Sequence, residues 1–168
     1  MTTLTNAQTN RLRTAAFLVP EAAALIAAGN VAGLITWCNT ASGQLRWLPS
    51  PDMVGVEEAP SYTTYDTLTQ GKRDSWLLLL RNVRDFGRAK VRSWVVDVWG
   101  PATAGSNTEA VLLAATAPAT NAQVAIGGTV RATGTVSAID TPYEQDVDED
   151  DAKRLIFRDN GNIWVPAA

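Results

Sequence analysis

The chain has 168 residues, a net charge of −3, 46% hydrophobic residues and 18% charged ones. That length suits one domain with a substantial core, or a domain with an appended arm, and the small net charge does not suggest whole-molecule attraction to nucleic acid. With no histidine and one cysteine, Cys38, an intrachain disulfide, a thiolate–imidazole zinc site and the Ser-His or Cys-His pairs of nucleophilic catalysis are excluded.

The N-terminal Arg11 and Arg13, followed by an apolar stretch, imitate an export leader. Pro20 and Glu21 interrupt that stretch, so the expectation is that the chain stays where it is made. No apolar run reaches the length of about 18–20 residues needed to span a bilayer, so no membrane partner is expected. Leu18, Ala22, Leu25, Ile26 and Gly29 keep helical spacing, and Pro20 suits the first turn of a helix beginning near it. Gly29 and Asn30 end that helix, and Asn30 caps a second over residues 31–42 that closes at Ser42-Gly43. Cys38 lies in this apolar stretch and reads as a small core residue. Gln44–Leu48, with Trp47, reads as a short strand or extended arm. Pro49, Pro51 and Pro60 punctuate a connector, in which Ser50 is placed to cap a short helix with Pro51 at its first position.

The strongest pattern runs from Thr67 to Trp99. It predicts two amphipathic helices, the first starting at Asp66 or Thr67, with a turn at Val83–Gly87 between them. Val91, Trp94, Val95, Val98 and Trp99 recur at i, i+3, i+4, i+7 and i+8, one face of a helix, with Arg88, Arg92 and Asp97 off that face. Trp76, Trp94 and Trp99 follow the apolar period and are expected to anchor the core. Asp85 is placed to cap the second helix, and Gly100-Pro101 stops it. Ser106 or Asn107 caps a further helix that Pro118 breaks, and a short helix then runs to Gly127-Gly128. Beyond it, alternation of β-branched and small residues predicts a strand or hairpin bent at Gly134. A short helix follows, with acids in its first turn and Lys153, Arg154 and Arg158 towards its end, matching the helix dipole. Asp159-Asn160-Gly161 terminates it before an extended tail carrying Trp164. The expected fold is therefore mainly α: a bundle of about five to six helices with a short β arm or hairpin and a C-terminal extended tail. Residues 1–128 form the helical core, and 129–168 form the arm, the acidic helix and the tail.

Chemistry is sparsely signalled. There is no phosphate-cradling glycine loop. The acidic run Asp146–Asp151 lacks the glycine and terminal glutamate of a calcium loop, and the first turn of a helix explains it better. We expect no catalytic residue, no metal, no cofactor and no enzyme activity. Charge is nonetheless unevenly distributed. Between Gly71 and Arg92, seven basic residues face only two acids, whereas from Asp140 onward eight acids face three bases. Lys72, Arg73, Arg81, Arg84, Arg88, Lys90 and Arg92 are candidates for a DNA-facing or subunit-interface surface. Asp146, Asp148, Glu149, Asp150 and Asp151 are candidates for an acidic interface. Such polarity serves contact with DNA, or like subunits joining basic face to acidic face; two solvated helix faces are the plainer alternative.

The central stretch also carries a resemblance. Tyr65-Asp66-Thr67-Leu68-Thr69-Gln70-Gly71-Lys72-Arg73-Asp74-Ser75-Trp76 resembles the block V-D-N-L-S-V-G-K-A-R-x-W of small proteins from the virion-morphogenesis clusters of tailed bacteriophages. Arg88-Ala89-Lys90-Val91-Arg92 is similar to their K-A-N-I-R-A-G-I helix, and Pro118-Ala119-Thr120-Asn121-Ala122 to R-P-A-T-R-A-E. The resemblance covers residues 30–128, by scattered positions, and the segment after Gly128 departs from it. It implies a virion structural component made in the host cytoplasm, a head–tail connector (neck or adaptor) assembling as a homo-oligomeric ring. It implies portal, neck or tail proteins as partners and nonspecific contact with DNA. A capsid-associated or tail-completion protein, and a small DNA-binding regulator using the basic helix, are the alternatives.

Overall fold

The computed structural model describes residues 4–82, 85–140, 146–158 and 160–165. Among these lie ten helices: α1 (Asn6–Leu18), α2 (Pro20–Ala27), α3 (Val31–Asn39), α4 (Met53–Glu58), α5 (Tyr62–Thr67), α6 (Gln70–Asn82), α7 (Ala89–Trp99), α8 (Asn107–Ala114), α9 (Asn121–Ile126) and α10 (Glu149–Ile156). Four strands, β1 (Ala41–Trp47), β2 (Thr116–Thr120), β3 (Val130–Thr133) and β4 (Val136–Ile139), form one mixed sheet in the order β2-β1-β4-β3. The mainly helical class is as expected. The helices are more numerous, because the chain turns inside segments that read as continuous. Val19, held extended ahead of Pro20 (φ −103°, ψ 114°), separates α1 from α2, as the steric demand of a following proline requires.

By its contacts the chain divides into two compact units, the first comprising residues 1–44, 119–128 and 141–168, the second residues 45–118 and 129–140. Both units are assembled from segments far apart in sequence, unlike a division at Gly128.

In the first unit, Thr5 and Gln8 form a reciprocal capping box at the start of α1, satisfying two otherwise orphaned amides. Asn30 caps α3 by accepting from Gly33 N–H. The helix stops at Asn39 instead of Ser42, since its last carbonyls find other donors. Asn121 gives its backbone N–H to Thr40 O (2.9 Å) and its side-chain amide to Trp37 O (2.8 Å). Leu4, Leu12, Ala16, Ala22, Ile26, Leu34, Cys38, Ala122, Ile126, Val147, Ala152, Leu155 and Ile156 form its core. Cys38 is buried as expected; burial first, and the nearby Asp151 second, push its thiol up to about 12. Residues 157–164 fold back on α10: Phe157 bridges Ile163, and Trp164 N–H donates to Ile156 O (2.8 Å); the last residues of the expected tail, 166–168, lie outside the described residues.

In the second unit, α4 is capped by Asp52, which accepts from Val54 N–H, and not by Ser50. The central pair begins later than expected, because Tyr62–Thr67 forms its own short helix before α6 starts at Gln70. The period read for α7 holds: Val91, Val95 and Val98 are buried, and Trp94 and Trp99 are partly buried against the same core as Trp47, Trp76, Leu79 and Phe86. Arg88, not Asp85, is the N-cap residue of α7; Asp85 instead accepts from Gly87 N–H in the preceding turn. Ser106 caps α8, which is shorter than expected, because Thr116–Thr120 is strand. Within the unit, β1 pairs in parallel with β4 (Leu45 with Ala138, Arg46 with Ile139), and β3 and β4 form the expected antiparallel hairpin.

Gly134 lies at the bend of that hairpin with φ +60°, where a Cβ would overlap the carbonyl group of Ala102. Left-handed backbone and contact with a fixed main chain act together. Gly134→Ala should therefore lower stability by roughly 2–3 kcal/mol in urea denaturation. A loss below about 0.5 kcal/mol, the range of a neutral surface change, would show that the hairpin does not rest on Ala102.

Candidate functional site

The seven basic residues do not share one surface. Lys72 and Arg81 are both exposed on α6, but nine residues apart at 100° per residue they project to opposite sides. Arg73 folds back over the start of its own helix. Its Nε donates to Leu68 O (3.0 Å) and its Nη2 to Asp66 O (2.7 Å), with the guanidinium 5.7 Å from the Tyr65 ring centre. Arg88 is exposed and paired with Asp85 at 3.0 Å, a contact of little energetic weight at the surface. Lys90 is exposed. Arg84 lies outside the described residues.

Arg92 is the clearest correction. Placed off the apolar face by the helical period, it is in fact 2% exposed. Nη1 donates to Phe86 O (2.7 Å) and Gly87 O (2.6 Å), Nε donates to Thr133 Oγ1 (3.1 Å), and the guanidinium lies 4.6 Å from the Trp47 ring centre. A long side chain can lie back across its helix and bury its stem. Here it ties the turn before α7 to the hairpin strand β3. Burial lowers its pKa more than the neighbouring charges do. Arg92 is thus a structural cation, and cannot meet DNA or a partner subunit.

The acidic set divides in the same way. Asp148 caps α10 by accepting from Asp151 N–H (2.9 Å). Asp151 is fully buried and accepts from Leu4 N–H (2.7 Å); desolvation raises its carboxyl above the ordinary range, against the pull of that amide. Glu149 pairs with Lys153 at 2.6 Å. Asp146 and Asp150 are exposed. The first-turn reading of the run therefore describes its main work, and only part of the acidic set faces solvent. Among the described residues, no group of three or more His, Cys, Asp or Glu is placed to hold a metal ion, and no helix is long and apolar enough to cross a membrane.

Trp76, Trp94 and Trp99 all join the second core, Trp76 buried and the other two partly so. Trp76 and Trp99 meet edge to face, centroids 5.3 Å apart at 84°, and Tyr65 tilts onto Trp99 at 6.2 Å. Both arrangements suit aromatic quadrupoles. These rings also line a cavity of about 140 Å³ together with Glu57, Pro60, Tyr62, Leu77 and Leu80. The cavity went unread in the sequence; its only signal is the i, i+3 spacing of Tyr62 and Tyr65, which puts both rings on one side of α5.

In the first unit the structure gives Arg13 a role that the sequence did not signal. Arg13 is buried in α1 and donates to the carbonyls of Leu155 (3.1 Å) and Arg154 (2.5 Å). Its guanidinium stacks 3.9 Å from the Trp164 ring centre, while Arg158 lies 4.7 Å from the same ring.

No protein-family model, curated protein or solved structure matches the chain.

Proposed function

We propose that the chain is a structural subunit of a tailed-phage virion, a head–tail connector that assembles as a symmetric ring of like copies. The observation that carries this reading is the block from Tyr65 to Trp76. Of the positions it shares with the phage pattern, Leu68 and Trp76 pack into or against the second core, and Lys72 stays exposed on α6. A buried aromatic beside a solvent-facing cation suits a subunit whose core is its own and whose charged surface meets a neighbour. Lys72, Arg81 and Lys90 make no ion pair among the described residues, so they are free to meet acidic surfaces of adjoining copies or of portal, neck or tail proteins. DNA passing nearby would be met nonspecifically by the same cations.

The DNA-binding regulator draws less support, because its basic helix loses Arg92 to the interior and spreads the rest over different sides. Capsid-associated and tail-completion roles share the connector's features and differ from it in location. Mass spectrometry of purified virions tests the proposal: the chain should be recovered from particles at a stoichiometry of several copies each. Its absence from intact particles would refute a structural role.

A further inference from the structure

The cavity beside Trp76 and Trp99 is built differently from an ordinary packing defect. Tyr62 and Tyr65 of α5, Trp76 of α6 and Trp99 at the end of α7 supply four aromatic walls, with Leu77, Leu80 and Pro60 between them. Its volume, about 140 Å³, is close to that of engineered cavities of about 150 Å³ that admit a benzene-sized guest. The only charged side chain lining it is the carboxylate of Glu57, which is exposed at the end of α4 and makes no ion pair among the described residues. Tyr62, at 68% exposure, marks the solvent side.

From this geometry we infer a binding site for a compact organic cation, a quaternary or methylated ammonium head group. Aromatic faces present negative potential to a cation, and a carboxylate at the mouth compensates its charge. Bare alkyl guests gain the same apolar contact but leave Glu57 unanswered, and an anion is repelled by it. Among the described residues, the cation near the rings is Arg73 over Tyr65; it is occupied with the carbonyls of Asp66 and Leu68 and does not line the cavity. The same head group occurs on free choline-like solutes and on trimethyllysine side chains, and the site chemistry is common to both. This site is independent of the virion reading.

The test is titration of the full chain at low salt, followed by tryptophan fluorescence and by amide NMR shifts at residues 57–65, 76–80 and 99. Choline is compared with its uncharged carbon isostere, in which a quaternary carbon replaces the nitrogen. Choline should bind at least about tenfold more tightly than the isostere. Glu57→Gln should weaken it by roughly fivefold, and Tyr62→Ala by a similar factor, with unchanged urea midpoints. A trimethyllysine peptide forms the third arm. Tighter binding of the peptide assigns the natural source to a polypeptide, and tighter binding of choline assigns it to a free solute. Equal binding of choline and its isostere would reduce the site to an apolar slot and overturn the inference. So would no response to either cation up to about 50 mM, a concentration that still detects very weak sites.

Discussion

A chain shortened to end at residue 145 is expected to lose the fold of its first unit. The segment removed carries Val147, Ala152, Leu155 and Ile156, all at most 2% exposed in the first core. Burial of the three larger side chains alone contributes on the order of 5–9 kcal/mol, as much as the whole stability of many domains. Polar ties go with them. Asn39 and Val147 exchange two hydrogen bonds, at 3.0 and 2.8 Å. Leu4 is held by Asp151 at 2.7 Å and by Arg154 at 2.6 Å, and the buried Arg13 would lose its two carbonyl acceptors on Leu155 and Arg154, keeping Asn10 Oδ1 at 3.0 Å. Hydrogen exchange read at α1–α3 should show protection lost throughout. The single variant Leu155→Ala should cost about 2–5 kcal/mol in denaturant unfolding. Native protection of α1–α3 in the shortened chain would show that α10 is not part of this core. The same geometry changes how the acidic segment is probed as an interface. Truncation would destroy the subunit, so substitutions confined to Asp146 and Asp150 are the informative ones.

The second large effect is expected at Arg92. Arg92→Ala removes two charge-assisted bonds to carbonyl oxygens and one to a hydroxyl, empties space beside Trp47 and leaves buried acceptors unmet. A loss of about 3–4 kcal/mol follows. Arg92→Lys keeps the charge but not the fork that reaches Phe86, Gly87 and Thr133 together, and should recover less than half of it. Lys72→Ala and Lys90→Ala, on exposed positions, should stay within about 0.5 kcal/mol. Urea midpoints of the four variants check this ranking. If Arg92→Ala unfolded like Lys90→Ala, the buried network would carry no stability and Arg92 would again qualify as a surface residue.

These two sites show where the sequence was legible. The apolar period of α7 is a backbone property, and Val91, Val95 and Val98 are buried as that period demands. Arg92 sits one residue beyond Val91, and its fate depends on the carbonyls of a preceding turn and on a strand some forty residues later. No local pattern contains that information. The acidic run was legible as the first turn of α10 through Asp148, but the burial of Asp151 required Leu4, at the other end of the chain. Strand β2, Thr-Ala-Pro-Ala-Thr, has little β-branched character and owes its conformation to its neighbour β1. The hairpin of β3 and β4 was legible because alternation and Gly134 are both local. The aromatic cavity needed four helices at once, α4 to α7, and of its four aromatic rings only the two tyrosines share a helix.

The virion reading stands or falls on place. A cryo-electron-microscopy map of the mature particle, detailed enough to trace helices, is its most direct test. The account predicts this chain as a closed ring of like copies at the head–tail junction, with Lys72, Arg81 or Lys90 against acidic side chains of a neighbour or turned towards the DNA channel. A junction fully accounted for by other chains, or this chain found as single copies elsewhere on the particle, would contradict it.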